Sequence, residues 1–201
     1  MRVTSLIAAV LLALAVSAPA ADDPDELTPE RRKELEKKSG DLYEEAQRQA
    51  DRGAYDKAAE LLKEALDISR RLYPKEKFPE GHPSIAFCLN GLGAALDARG
   101  EYAKAEALWR EVLEMRRRLY PPEKFPGGHA ELANSLYSLG YVLRKQGEYD
   151  KAEPFCHDAV DMCRRLYPKE KFPDGHPSLS HSLNNLGDLL QELGELSLIH
   201  I

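Results

Sequence analysis

Cysteine is scarce. Three residues in a chain of 201, Cys88, Cys156 and Cys163, rule out a fully paired disulfide framework. On one helix Cys156 and Cys163 would stand ~10.5 Å apart along the axis, too far for the ~4.4–6.8 Å Cα separation of a disulfide. Spacing leaves open whether Cys88 meets either, and buried free thiols are the plain reading. An excess of basic residues is missing as well: 28 Lys and Arg against 34 Asp and Glu give a net charge of -6, which argues against a dedicated nucleic-acid binder. The apolar run at the N-terminus, Leu6 to Val16, is about half of the ~20 apolar residues that a spanning helix needs. Catalytic signatures are absent too: there is no G-x-S-x-G, H-E-x-x-H, P-loop, dinucleotide fingerprint or C-x-x-C-H. His157 and Asp161 sit four residues apart, where a helix-surface ion pair is the commoner arrangement. An enzyme, a metal centre or a bound cofactor is not expected in this segment.

What the sequence does hold is 43% hydrophobic residues, enough for an ordinary core and too many for wholesale disorder. Its first twenty residues stand apart from that core. Arg2, the apolar run and Ala18-Pro19-Ala20 have the positive, hydrophobic and small-x-small parts of a secretory signal, so the expectation is cleavage after Ala20 and an exported, periplasmic or secreted, chain without a stable membrane anchor. Residues 21–28 follow as an acidic linker around Pro24. Thr28-Pro29-Glu30-Arg31 then starts a helix, with Thr as N-cap and Pro at the first helical position.

Sliding the chain against itself exposes its organisation. Tyr73, Tyr120 and Tyr167 share an offset of 47 residues with His82, His129 and His176, with Gly93, Gly140 and Gly187, and with Gly100, Gly147 and Gly194. One offset satisfied at so many positions is a tandem repeat. Gly53, Tyr55, Lys57 and Ala58 match Gly100, Tyr102, Lys104 and Ala105, so a degenerate copy precedes the clear ones and the chain holds three helical pairs and the first helix of a fourth.

Within the second copy, Ile85, Leu89, Leu92 and Leu96 form an apolar stripe on a first helix, A. Gly100 suits the left-handed position that ends it. A second helix, B, starts near Tyr102 with Ala105, Leu108, Trp109, Val112 and Met115 inside, and Gly93 with Ala105 would let A and B approach closely. Arg116, Arg117 and Arg118 read as cations at the negative end of the B dipole, before Pro121 and Pro122 stop it. Each pair buries one face only, so stacking is required and a right-handed α-solenoid follows.

Leu89-x-x-Leu92-Gly93-x-x-Leu96 with Gly100, Tyr102, Ala105, Trp109 and Val112 resembles the tetratricopeptide pattern, and so do Leu136, Leu139, Gly140, Leu143, Gly147, Tyr149, Ala152 and Cys156. Leu183, Leu186, Gly187, Leu190 and Gly194 repeat it, so the resemblance covers roughly residues 40–195 of an array expected to span 29–195, whereas Glu45 and Ala46 depart from it in the first copy. The run from His176 to Gly187 resembles the longer repeats of kinesin light chain and its bacterial relatives. This resemblance implies an all-α solenoid that acts as a non-catalytic protein–protein interaction scaffold, its partner peptide or protein lying on a concave face lined by the A helices. The positions it points to are Phe87, Asn90, Ala94 and Asp97 in the second copy. In the third they are Asn134, Tyr137, Tyr141 and Arg144, and in the fourth His181, Asn184, Asp188 and Gln191. Tyr137, Tyr141, Arg144 and Lys145 together favour an acidic or aromatic ligand. The resemblance also allows an alternative, the recognition half of a longer protein whose downstream effector is a caspase-like CHAT peptidase domain.

Two segments resist a functional reading. The B-to-A connector repeats Phe78, Phe125 and Phe172 beside the three histidines, but stacked copies lie ~10 Å apart and one metal with ~2 Å bonds cannot collect them. The expectation is that Phe tucks over the edge while His-Pro opens the next A helix. After Gly194-Glu195, a new B helix is due, yet Leu196-Ser197-Leu198-Ile199-His200-Ile201 follows. Those six residues match the translation of a transposase end sequence used in sequencing libraries, so residues 196–201 are expected to be a non-native tail.

Overall fold

The computed structural model describes residues 27–199, with side chains through residue 194, so the expected export signal, most of the acidic linker and the last two residues lie outside it. Among the described residues there are seven helices and no strand: α1 (Pro29–Asp51), α2 (Tyr55–Leu72), α3 (Pro83–Ala98), α4 (Tyr102–Leu119), α5 (Ala130–Lys145), α6 (Tyr149–Leu166) and α7 (Pro177–Ile199). The expected period is visible in the B helices α2, α4 and α6, which each have 18 residues and start at Tyr55, Tyr102 and Tyr149.

Local chemistry sets each boundary. Thr28 Oγ1 accepts the amide of Arg31 at 3.2 Å and caps α1 as its sequence predicts. Every A-to-B turn passes through a left-handed glycine, Gly53, Gly100 and Gly147, at φ of 76°, 75° and 76°, a region closed to most side chains. The residue after each glycine, Ala54, Glu101 and Glu148, donates its amide back to a carbonyl of the preceding helix at 2.9 Å. At the other end, the histidine is itself the cap. Nδ1 of His82, His129 and His176 accepts the amide two residues on, each at 3.2 Å. Tyr73, Tyr120 and Tyr167 stack on those imidazoles at 3.4, 3.6 and 3.5 Å, and the phenylalanines close on both rings edge-on. The connector is therefore a Tyr-Phe-His block that fixes the angle between one repeat and the next.

Consecutive helices pack against each other along the chain. The A helices also reach each other across repeats, α1 to α3 and α5 to α7, with no comparable contact between B helices, so the A layer is the tighter, inner face. Ile85, Leu89, Leu92 and Leu96 are buried as the stripe requires, with Ala105, Trp109, Val112 and Met115 opposite. At the crossing, Gly93 packs against Trp109: a Cβ on Gly93 would stand 2.7 Å from the indole Nε1, and Ala105 is fully buried beside it in the core. A Cβ on Gly140 would likewise stand 2.7 Å from Cys156 Sγ, and in the first repeat the matching pair is Ala46 with Leu62, both buried in the same core.

The last repeat departs from expectation. Gly194 was expected to end its A helix as Gly100 and Gly147 do, but α7 runs unbroken to Ile199, and Gly194 is absent from the left-handed glycines. A helical bond per added residue favours continuation, and Leu196 to Ile199 lack the Tyr-x-Lys-Ala start that folds a B helix back in the other repeats. On α7, Leu183 is 41% and Leu190 48% exposed, and a Cβ on Gly187 would meet nothing within 4 Å.

Candidate functional site

The inner face gathers part of the expected set. Tyr137 and Tyr141 lie one turn apart on α5 with ring centroids at 6.1 Å. Arg144 Cζ stands 5.7 Å and Lys145 Nζ 5.4 Å from the Tyr141 centroid, so two cations border one ring. Arg144 also crosses to α7, where Nε donates to Asn185 Oδ1 at 3.0 Å and the guanidinium lies 3.1 Å from Asp188 Oδ2. An incoming carboxylate must therefore compete with Asp188 for Arg144, while Lys145 is exposed. Burial raises the Tyr137 phenol, with Tyr141 adding to the shift and Arg144 opposing it.

The α3 side of the same face is acceptor-rich. Asn90 Oδ1 and Asp97 Oδ1 are shielded from solvent and have no hydrogen-bond partner. Burial raises the Asp97 carboxyl above its ordinary range, and the Lys145 charge pulls it back. Asn90 borders a cavity of about 160 Å³ with Gln47, Tyr55 and Ala94. Phe87 is 41% exposed, with Arg116 Cζ 5.9 Å from its ring centre, and stands apart from the tyrosines. Asn134, His181, Asn184, Asp188 and Gln191 are exposed on the helices assigned to them. Asn184 was chosen on sequence, but its neighbour Asn185 is the buried one, joining Arg144 to Cys156 through an Nδ2–Sγ bond of 3.3 Å.

Arg116 lies with Arg117 and Arg118 in the last turn of α4, as the dipole reading expects. Unlike those two it is buried, only 2% exposed, which its place in that turn does not announce. Its guanidinium donates to the Glu131 carboxylate, to the Glu131 carbonyl at 2.9 Å and to Ser135 Oγ at 2.8 Å. The repeat contained the signal: Ser69 and Cys163 occupy the same register and are fully buried. They make the small version of the contact, Ser69 to Cys88 at 3.8 Å and Cys163 to Ser182 at 3.6 Å. The three thiols are free and buried, and burial raises all of them, Cys156 to about 11, so none is a reactive thiolate near neutrality. His157 pairs with Glu153 at 3.9 Å and Asp161 with Arg164 at 3.3 Å, rather than with each other.

Tetratricopeptide repeat models match residues 46–84, 86–123 and 131–198. The chain belongs to the tetratricopeptide repeat family. Its array is similar to the solved kinesin light chain-like protein with nearly identical TPR-like repeats from Podosopora anserina, at 22% identity and a TM-score of 0.64, covering 78% of this chain and 67% of that one. It is similar also to BtubC (BKLC) from P. vanneervenii, at 23% identity and a TM-score of 0.59, covering 79% of this chain and 57% of that one. These likenesses support the fold, and the tetratricopeptide chain spans little more than half of the second neighbour. No curated protein matches the sequence. Repeats of this family build protein–protein interaction scaffolds, a fold that is generally non-catalytic.

Proposed function

We propose that the inner face of the A helices binds an extended segment of a partner protein, and that the third repeat reads an acidic or aromatic side chain in it. The observation that carries this reading is the Tyr137–Tyr141 pair bordered by Arg144 and Lys145. Aromatic faces supply contact area at low entropic cost, and cations held beside them attract a carboxylate. We further propose that binding takes place outside the cytoplasm, on the strength of Arg2, the Leu6 to Val16 run and Ala18-Pro19-Ala20.

A pull-down from the exported fraction supplies the partner, and titration calorimetry supplies the test. Tyr141→Ala with Lys145→Ala is expected to weaken binding by about tenfold or more, given ~0.5–2 kcal/mol for each aromatic or charged contact. Arg144→Ala would do the same but also releases Asp188, so the Lys145 variant is the cleaner reporter. Unchanged affinity in both variants overturns the reading.

A further inference from the structure

The junction between the first and second repeats holds a cavity. It has a volume of about 340 Å³, within the ~300–1,000 Å³ of ligand pockets. Tyr43, Leu72, Tyr73 and Phe87 line it with Gly40, Ser39, Ser69 and Cys88, and Glu36 and Ser84 complete it. One period on, three of the small lining residues are replaced by larger ones, Gly40 by Phe87, Ser69 by Arg116 and Ser84 by Glu131, while Ser39 gives way to Ala86 and Cys88 to Ser135. The space is thus the one that a guanidinium, its carboxylate and an aromatic ring occupy at the second junction. A Cβ on Gly40 would meet nothing within 4 Å, which confirms that the opening is real at the helix surface.

Building on the groove reading above, we propose that this cavity takes an arginine side chain of the bound partner. Charge and shape both favour it. Glu36 is an exposed carboxylate whose Oε1 accepts the Tyr73 hydroxyl at 3.2 Å, leaving its other oxygen for a cation. The chain's own Arg32 already answers that field from outside, 4.0 Å from Glu36 and 6.0 Å from the Tyr73 ring centre. Inside, Ser39 donates to the Ala65 carbonyl at 3.1 Å and lies 3.1 Å from Ser69 Oγ, so the floor is satisfied but keeps hydroxyl lone pairs for a donor. Arginine combines an apolar stem, a planar head that stacks on Phe87 and Tyr43, and five donors in a fixed fork, whereas lysine brings a strongly hydrated point charge. A neutral aromatic side chain would fill the walls but leave the Glu36 carboxylate partly desolvated without a partner.

The test uses the full chain, with N-acetyl-arginine amide as probe and amide chemical shifts as readout. Shifts are expected at Ser39, Ser84, Phe87 and Cys88. The citrulline amide, which keeps the shape without the charge, is expected to bind about tenfold more weakly. Glu36→Gln, at an exposed site, should remove that preference, Arg32→Ala should strengthen arginine binding by freeing Glu36, and Gly40→Phe should abolish it by copying Phe87. Equal binding of arginine and citrulline, shifts that survive Gly40→Phe, or no shift with tens of millimolar probe would overturn the proposal. Because the probe needs no partner, its failure leaves the Tyr141 and Lys145 test of the groove untouched.

Discussion

The first and second junctions of this array solve one packing problem with different chemistry. At the first, Ser39, Ser69 and Cys88 form a chain of small neutral contacts and leave a cavity. At the second, Arg116 is buried against Glu131 and Ser135, with Phe87 beside it. The backbone scarcely notices: α2 and α4 both have 18 residues and end on a tyrosine stacked over a capping histidine. What changes is the cost of a mistake. A neutral junction tolerates loss of a partner, whereas a buried guanidinium without its carboxylate is an uncompensated charge.

The largest effect should therefore follow from Glu131→Ala. With Arg116 left buried and unpaired, equilibrium unfolding in denaturant is expected to show a loss of about 3–5 kcal/mol. Restoring the neutral chemistry of the first junction with Arg116→Ser and Glu131→Ser together should recover most of it. A double variant no more stable than Glu131→Ala would mean that the two junctions are not interchangeable.

A smaller effect separates the two repeats at their A-to-B crossing. Gly93→Ala forces a Cβ to within 2.7 Å of the Trp109 indole and should cost about 1–3 kcal/mol in thermal melts. Adding Trp109→Leu reproduces the Ala46–Leu62 pair of the first repeat and should restore much of the loss.

The smallest concerns the caps. His82 accepts a backbone amide through Nδ1, which only an unprotonated nitrogen can do. Burial holds its pKa below the ordinary value, with the nearby Glu36 opposing and Arg32 reinforcing the shift. The unfolded imidazole, near ~6.5, takes up its proton before the folded one, so this stability is complete above that pH and falls as pH drops through the folded value. Melting temperatures between pH 8 and 5.5 should decline less steeply for His82→Asn, which caps without titrating. Parallel slopes for the two proteins would show that the cap does not sense pH.

Much of this was legible in the residues. The period, the A stripe, the left-handed glycines and the His-Pro openings are visible in the sequence, and the structure has each where expected except at Gly194, where the helix continues. Tyr137, Tyr141 and Arg144, positions to which the family resemblance points, meet on α5. Arg116 and Asn185 were missed for the same reason. A polar residue is assigned to solvent unless its partner is known, and the partners, Glu131 with Ser135 and Arg144 with Cys156, lie on neighbouring helices.

The sequence alone therefore determined that this is a stack of helical pairs, because helix periodicity, glycine turns and capping act within a few residues of one another. It also determined the family. Which polar side chains are buried, and that the first junction keeps a cavity where the second buries a guanidinium, were decided by tertiary structure. Those outcomes depend on whether side chains 15 to 41 residues apart meet away from water, as Arg116 meets Glu131 and Arg144 meets Asn185.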